Sequence, residues 1–375
     1  MPQRIAIRFC PPTPPWGSQR TFAEEYLPLL LQELPGSLVY SSFPVVPTDG
    51  SIRVSARNPL YVRGLVRRMA AIIHYQATFE RQLASAGAKV LFCPFHNDGL
   101  AFPRQVKQIL VVHDVVPLVF PGEYRMSRLL WATLFRAAII HSAHIICVSE
   151  ATKAELVRRL NLRPDRVSVV QNGYGAHGHQ VGPARLPRIL YVASTHSAHK
   201  NIPTLLEAFA ACSLRTTHDL RIVGVPHRRT TPEIKARIRR LGIADRVQLL
   251  AQLDSAALRN EYQSASLFVY PSLCEGFGLP LLEAMAYGLP VCAARVTSIP
   301  EVAADAALYF DPRNPVEIAR TMEQLHSDPL LQRKLVALGY ANVSRFSWKR
   351  SAAETAAICR EALAADFIDG RVPHC

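Results

Sequence analysis

The sequence predicts an α/β protein built from two doubly wound domains, and three observations lead there. Short apolar, β-branched runs recur along the chain, each followed by a loop and a stretch of helical periodicity, the alternation that builds a parallel sheet covered by helices. The 375 residues suffice for two cores of ordinary size. From Tyr174 to Pro187 the alternation stops in a segment with several Gly, His and Pro and no periodicity, which reads as a linker. The boundaries expected are 1–180 for the first domain and 186–348 for the second, with a last helix over about Lys349 to Ala364.

In the first domain Arg4 to Phe9 reads as the opening strand, because Ile5, Ala6, Ile7 and Phe9 are apolar. A Pro-rich turn leads to Trp16, Gly17, Ser18, Gln19 and Arg20, and a periodic segment from Phe22 to Leu34 reads as a helix. The turn has one glycine and no G-x-G-x-x-G, so a nicotinamide-dinucleotide site has little support, and Gly17 by itself is also a plain turn former. Val90 to Phe92 and Ile109 to Val112 are short strands, the second ending in His113 and Asp114. A polar pair directly after a buried parallel strand lies at the carboxyl end of the sheet, where open α/β sheets bind ligands. Asp114 is expected to orient the loop or cap a helix. Arg128 to His144 reads as a helix and Ile145 to Val148 as a strand. Ser149 is the N-cap type before a helix from about Ala151 to Leu160, and Val167 to Val170 is the last strand before the linker.

The second domain repeats the pattern. Ile189 to Val192 is a strand, the segment Ser194 to His199 is polar, and Lys200, Asn201 and Ile202 lead into a helix through about Cys212. Strands at Leu220 to Val223 and Val247 to Leu250 precede a helix that ends near Ser264. The densest segment is Ser266 to Arg295, SLFVYPSLCEGFGLPLLEAMAYGLPVCAAR. Leu267, Phe268, Val269 and Tyr270 form an apolar run ending at Pro271, as expected of a strand buried on both faces. Gly276 and Gly278 free the next loop to approach a ligand, and Pro280, with Gly288 and Pro290, brackets a short helix from about Pro280 to Tyr287. The positive end of that helix points at the glycine loop and suits a phosphate or diphosphate. Glu275 in the loop and Glu283 on the helix bracket this anion site, and neither has a Lys or Arg neighbour within the segment. Alone, Glu283 is equally well a solvated helical glutamate. Ser298 to Glu301, Ala307 to Phe310 and the helical Pro315 to Leu325 follow.

The run CEGFGLPLLEAMAYGLPV, in its strand, loop and helix setting, resembles the signature of retaining glycosyltransferases of family 4, whose two-domain architecture is called GT-B. The resemblance covers almost the whole chain, most strongly from Ile189 onward and at His113. It implies two Rossmann-like domains facing across a cleft, the first completed by the C-terminal helix, 349–375 here. It also implies that Glu275 faces the donor sugar, that Glu283 binds the ribose of the nucleotide, and that Gly276, Phe277, Gly278 and Leu279 form the donor loop between them. HDVVPLVFP is similar to the family segment whose histidine, here His113, contacts the donor sugar. The turn at Gly17 looks like the family's first loop, where a small residue faces the donor phosphate or sugar and a nearby arginine, here Arg20, lies at the cleft. YVASTHSAHKNIPTLLEAF resembles the donor diphosphate site, with Lys200 the matching lysine. The chain departs from the pattern there: Ser194 and His199 stand where related members often carry an arginine, which leaves diphosphate neutralisation weaker or dependent on Arg20. Related enzymes hold the base against backbone in the region of Gln252 to Asp254.

The reaction implied moves a hexosyl unit from a nucleotide diphosphate sugar to an acceptor hydroxyl, with retention at the anomeric carbon. No side chain announces a nucleophile. The mechanism favoured has the departing β-phosphate take the acceptor proton while Lys200 and the helix N-terminus stabilise its charge. No cofactor or metal is expected, because the diphosphate has a lysine and a helix end and the chain contains no Asp-x-Asp. The HKN and HDVVPL segments are similar to members that often use GDP-mannose, so a mannosyl donor is expected, in cell-surface polysaccharide or lipid-linked glycan assembly. The rivals are a GT-B epimerase, a phosphorylase, or a non-catalytic binding subunit on the same fold; the presence of Glu275, Glu283, Lys200 and His113 speaks against the last.

Composition bounds the partners. The formal charge of +14 and pI near 9.7 admit nucleic acid, an anionic membrane surface or anionic small substrates. The excess is steeper in the first half, with 20 Lys+Arg against 11 Asp+Glu through Gln180. From Arg53, Arg57, Arg63, Arg67 and Arg68 alternate with Leu60, Val62, Leu65, Val66, Met69, Ile72 and Ile73. Such a segment is either a membrane-surface element, which would suit a polyprenol-linked acceptor, or a core-packed helix with a solvated basic face. No recognition helix, RNA-binding motif or aromatic-basic interleaving supports nucleic acid. No apolar run approaches the roughly 20 residues that cross a bilayer, and the N-terminus lacks a basic region followed by an apolar one. Eight scattered cysteines without C-x-x-C or Cys/His spacing point to buried free thiols in a reducing compartment, so the cytoplasm is expected, with peripheral contact to the inner membrane face if the basic segment binds lipid.

Overall fold

The structure, a computed structural model, describes residues 5–9, 21–41, 52–54, 65–95, 106–120, 128–175, 185–193, 197–224, 230–251 and 253–364. The chain divides into two compact units, Met1–Gly175 with Ser347–Cys375, and Ala176–Phe346.

The first unit is built on one sheet of β1 (Ile5–Phe9), β2 (Leu38–Ser41), β3 (Ile52–Val54), β4 (Val90–Cys93), β5 (Lys107–Val112), β6 (His144–Cys147) and β7 (Val167–Val169), in the order β3-β2-β1-β4-β5-β6-β7. Every pairing is parallel. The chain starts in the middle, winds out through β2 and β3, and returns past β1 to β4, so the winding reverses between β1 and β4. All residues of β1 and β4 are buried, which is why they read as continuous apolar runs. Arg8 is the exception in β1: its guanidinium lies over the rings of Tyr75 and Phe79 on the helix Leu65–Ser85, at 4.7 and 5.3 Å.

The helix Trp348–Ala364 belongs to this unit. The Tyr26 hydroxyl donates to Thr355 Oγ1 at 2.6 Å, Ser351 Oγ donates to the Gln171 carbonyl at 2.5 Å, and Lys107 Nζ donates to the Ala362 carbonyl at 3.0 Å. Gly173 lets the two chain segments meet: a Cβ there would lie 2.0 Å from Trp348 N and 2.4 Å from Trp348 Cα. The basic segment is not one helix from Arg53 onward. Arg53 lies in β3, the helix begins at Leu65, and Arg57 and Arg63 fall outside the described residues. Arg67 is exposed on that helix, and Tyr75, Phe79 and Leu83 bury its inner stripe.

The second unit holds β8 (Arg188–Val192), β9 (Asp219–Val223), β10 (Val247–Leu250), β11 (Leu267–Tyr270), β12 (Val291–Ala294) and β13 (Ala307–Phe310), in the order β10-β9-β8-β11-β12-β13. All pairings are parallel, and the winding reverses between β8 and β11. Arg185 anchors the entry to this unit by donating to Ala265 O at 2.9 Å and to Tyr287 O and Gly288 O at 2.8 Å. Those carbonyls close the helices Ser255–Ser264 and Leu279–Ala286, whose last C=O groups have no partner within the helix. The described cysteines, Cys93, Cys147, Cys212, Cys274, Cys292 and Cys359, are buried, with no disulfide among them. Among the described residues no helix is long and apolar enough to cross a membrane.

Candidate active site

In an open parallel sheet, ligands sit beyond the carboxyl ends of the strands where the winding reverses. In the second unit that point lies between β8 and β11, and the loops leaving those strands carry Lys200 and Glu275. The two side chains meet there, with Lys200 Nζ 2.7 Å from Glu275 Oε1. This is the ionic partner that the segment around Glu275 lacks in sequence, supplied from 75 residues away. The Lys200 side chain is 15% exposed and that of Glu275 10%, so the pair is mostly withdrawn from water. Burial alone would raise the Glu275 carboxyl, but the Lys200 ammonium beside it and hydrogen bonds from Lys200 and Ser272 bring it below the ordinary carboxylate value.

Backbone and buried polar groups fix both loops. The Tyr191 hydroxyl, at the end of β8, donates to the Lys200 carbonyl at 2.7 Å. Asn201 takes the left-handed conformation, with φ of 58°, that turns the chain from Lys200 into the helix Ile202–Ala211. Its Nδ2 donates to Pro271 O at 3.0 Å and Pro312 O at 2.7 Å, tying the loops after β8, β11 and β13 together. The Leu273 amide donates to the His199 carbonyl at 2.7 Å. On the other side, the Glu275 amide donates to Thr297 Oγ1 at 3.1 Å, and buried Ser298 Oγ donates to Glu275 O at 3.0 Å and Phe277 O at 3.1 Å.

Gly276, Phe277 and Gly278 are buried and lead into the helix Leu279–Ala286. Gly278 is its N-cap residue, at φ of 109°, a conformation open to glycine and strained for other residues. The helix begins one residue earlier than the sequence suggests, with Leu279 in its first turn. Its N-terminus offers fewer donors than a regular one, because Pro280 has no N–H and the Leu281 N–H is bonded to Gly278 O at 2.9 Å. Glu283 lies half-buried on this helix and its Oε2 accepts from the Tyr262 hydroxyl at 2.5 Å. Phe277 packs edge-on against Phe346, with centroids 5.5 Å apart.

In the first unit His113 follows β5, half-buried, with its ring stacked on Phe95 at 4.7 Å. Its Nε2 lies 2.7 Å from the Pro94 carbonyl, and since a carbonyl only accepts, Nε2 carries a proton. His113 lines a depression with Tyr26, Gln171, Asn172 and Trp348 at the carboxyl ends of β5, β6 and β7. Asp114 Oδ1 accepts from the Val116 amide at 3.0 Å and so orders the loop that enters the short helix Val116–Val119; Ser149 caps Glu150–Leu160 by accepting from the Thr152 amide at 3.1 Å. Gly17, Arg20 and Ser194 lie outside the described residues.

The structure thus brings Lys200, Glu275 and the glycine loop into one site and places Glu283 on the helix that follows. Asn201, Tyr262, Thr297 and Ser298 support that site without being singled out in sequence. The only local signal was at Asn201, directly after the lysine, since asparagine is the residue other than glycine that most readily takes a left-handed turn.

Comparison with known proteins covers both units. The family model described as Glycosyltransferase Family 4 matches residues 30–175, and that described as Glycosyl transferases group 1 matches residues 186–328. The O-antigen chain mannosyltransferase B of Escherichia coli is 27% identical over 276 residues, 70% of this chain and 72% of that protein. The O-antigen chain mannosyltransferase RfbU of Salmonella typhimurium is 26% identical over 232 residues, 62% of this chain and 64% of that protein. The match therefore spans 64% to 72% of the length of these relatives. Among solved structures, sucrose-phosphate synthase from Thermosynechococcus elongatus superposes with a TM-score of 0.78 at 20% identity, covering 97% of this chain and 100% of that one. HepE from Anabaena, solved in complex with UDP and glucose, gives a TM-score of 0.71 at 16% identity, covering 97% and 100%.

Proposed function

The chain belongs to glycosyltransferase family 4 and has the GT-B fold, and from that premise we propose that it moves a mannosyl unit from GDP-mannose to a hydroxyl of a surface polysaccharide or lipid-linked glycan. The observation that carries the chemistry is the Lys200–Glu275 pair at the reversal point of the second sheet. A cation held there by geometry, with a counter-ion it can share or exchange, is suited to receive a diphosphate whose charge grows as the glycosidic bond breaks. Lys200 draws that charge, Glu275 faces the sugar, Glu283 receives the ribose, and His113 hydrogen-bonds a sugar hydroxyl. The β-phosphate takes the acceptor proton on the face it leaves, which retains the anomeric configuration. Charge stabilisation comes from Lys200 and the start of the helix Leu279–Ala286, with no metal ion required.

The mannosyl assignment is supported by the names of the relatives, O-antigen mannosyltransferases, and agrees with the HKN and HDVVPL segments. A uridine donor is the competing reading, favoured by the solved neighbour that holds UDP and glucose. Exposed Arg67 and the basic first half are consistent with an acceptor presented at an anionic membrane surface. The test is a panel of nucleotide sugars assayed by thermal shift and calorimetry: GDP-mannose is expected to bind best, and binding confined to UDP sugars overturns the mannosyl donor.

A further inference from the structure

We propose that Tyr262 is a positioning residue for Glu283, holding the carboxylate in the orientation that receives the nucleotide ribose; the proposal rests on the ribose reading of Glu283 given above. The Tyr262 hydroxyl donates to Glu283 Oε2 at 2.5 Å, the length of an O–H bonded to an ionised carboxylate. The tyrosine itself is immobile. It is 1% exposed, its ring stacks on Tyr287 with centroids 5.5 Å apart and 10° between planes, and it packs against Phe268 of β11 at 5.9 Å.

The helix Ser255–Ser264 that carries Tyr262 is fixed in turn. Glu261, the preceding residue, takes a bidentate pair from Arg221 of β9, with Nε to Oε2 at 2.6 Å and Nη2 to Oε1 at 2.7 Å. Planar two-point pairing sets orientation as well as distance. Asp254 caps the first turn of the same helix by accepting from the Ala257 amide at 2.8 Å. The hydroxyl therefore stands at a point set by the sheet and the helix start together.

Glu283 carries a longer and intrinsically more mobile side chain than the ring that meets it. Its side chain has three torsions and is half-buried on the short helix Leu279–Ala286, so a fixed donor removes rotamer freedom that a ligand would otherwise have to remove. An ionised carboxylate offers about four lone-pair sites, so the bond from Tyr262 does not by itself preclude bonds from the two hydroxyls of a ribose. The inference is one of pre-orientation: the phenol places the carboxylate before the nucleotide arrives.

The test uses the full chain and four probes, GDP and UDP with their 2′,3′-dideoxy counterparts, measured by calorimetry on wild type, Tyr262→Phe, Glu283→Gln and the double variant. Tyr262→Phe keeps the ring and its stack and removes only the hydroxyl, and its melting temperature checks the fold. It is expected to bind the ribonucleotide about five- to tenfold more weakly and the dideoxynucleotide as wild type does, so the preference between them shrinks by that factor. Glu283→Gln should abolish the preference, and the double variant should be no worse. If Glu283→Gln loses the preference and Tyr262→Phe retains it, or if Tyr262→Phe weakens all probes equally, Tyr262 is structural and the proposal fails. If Glu283→Gln keeps the preference, or wild type binds none of the probes, the ribose reading itself falls.

Discussion

Replacing Glu275 by Gln removes the charge that faces Lys200 and leaves the lysine in place. At 2.7 Å and an effective dielectric of about 20, the gross attraction is about 6 kcal/mol, and desolvation of the two ions offsets much of it. The variant is costlier than that net value implies, because the ammonium stays mostly buried without its counter-ion. Breaking a fully buried pair costs about 3–5 kcal/mol; with the side chains 15% and 10% exposed, water reaches them and about 2–3 kcal/mol is expected. For a cooperative unit of the size of Ala176–Phe346 that lowers the melting temperature by about 4–12 °C. Glu275 titrates below its ordinary value in the folded chain, so the stability it adds is complete above the unfolded carboxyl value of 4.5 and is lost as pH falls through the folded value. Thermal unfolding of wild type and Glu275→Gln at pH 7.5 and at a series down to pH 3.5 reads this directly: the gap should be full at neutral pH and narrow toward the acid end. Added GDP should raise the melting temperature of the variant more than that of wild type, since a diphosphate restores a partner to Lys200. Equal stability at pH 7.5, or a gap that does not narrow with acid, would show that the Lys200–Glu275 pair does not stabilise the fold.

Gly173→Ala would set a Cβ 2.0 Å from Trp348 N and 2.6 Å from Ser347 C, backbone atoms that no rotamer change can move, so a loss of about 3 kcal/mol or more and proteolytic release of the C-terminal helix are expected; wild-type melting would show that the two segments can part at little cost. Lys200→Ala should lower turnover on any accepted donor by about a hundredfold, the usual effect of losing one stabiliser of developing negative charge; unchanged turnover would move the diphosphate elsewhere. His113→Ala should lower turnover with the complete donor more than it lowers affinity for the nucleotide alone, which has no sugar to contact; equal losses would make His113 a support of the fold.

Much of the fold was legible because parallel strands buried on both faces announce themselves. Leu267–Tyr270 is buried throughout and reads as LFVY, and its bounds are those the residues suggest. Val291–Ala294 is buried as completely, yet Cys, Ala and Ala carry little strand preference, so its sequence does not signal a strand. The edge strand Ile52–Val54 is three residues long, too short to show a period. The helix Thr230–Arg240 buries only Ile234 and Ile238 among charged neighbours, and in Pro329–Val343 an apolar residue, Leu330, faces solvent at 72% exposure and blurs the stripe. At the site, Glu275, the glycine loop and Glu283 are contiguous and therefore visible. The pairing of Lys200 with Glu275, the hydroxyl of Tyr262 on Glu283, and the reach of Asn201 to Pro271 and Pro312 depend on which strand ends the winding brings together, which local spacing does not encode.

The proposed transfer from GDP-mannose with retention is read by following the anomeric proton of the sugar released when the full chain is incubated with GDP-mannose and no acceptor. Slow hydrolysis that delivers α-mannose first, before mutarotation, is the result expected. β-Mannose as the first product, or GDP-mannose left intact by a chain that binds it, contradicts that reaction.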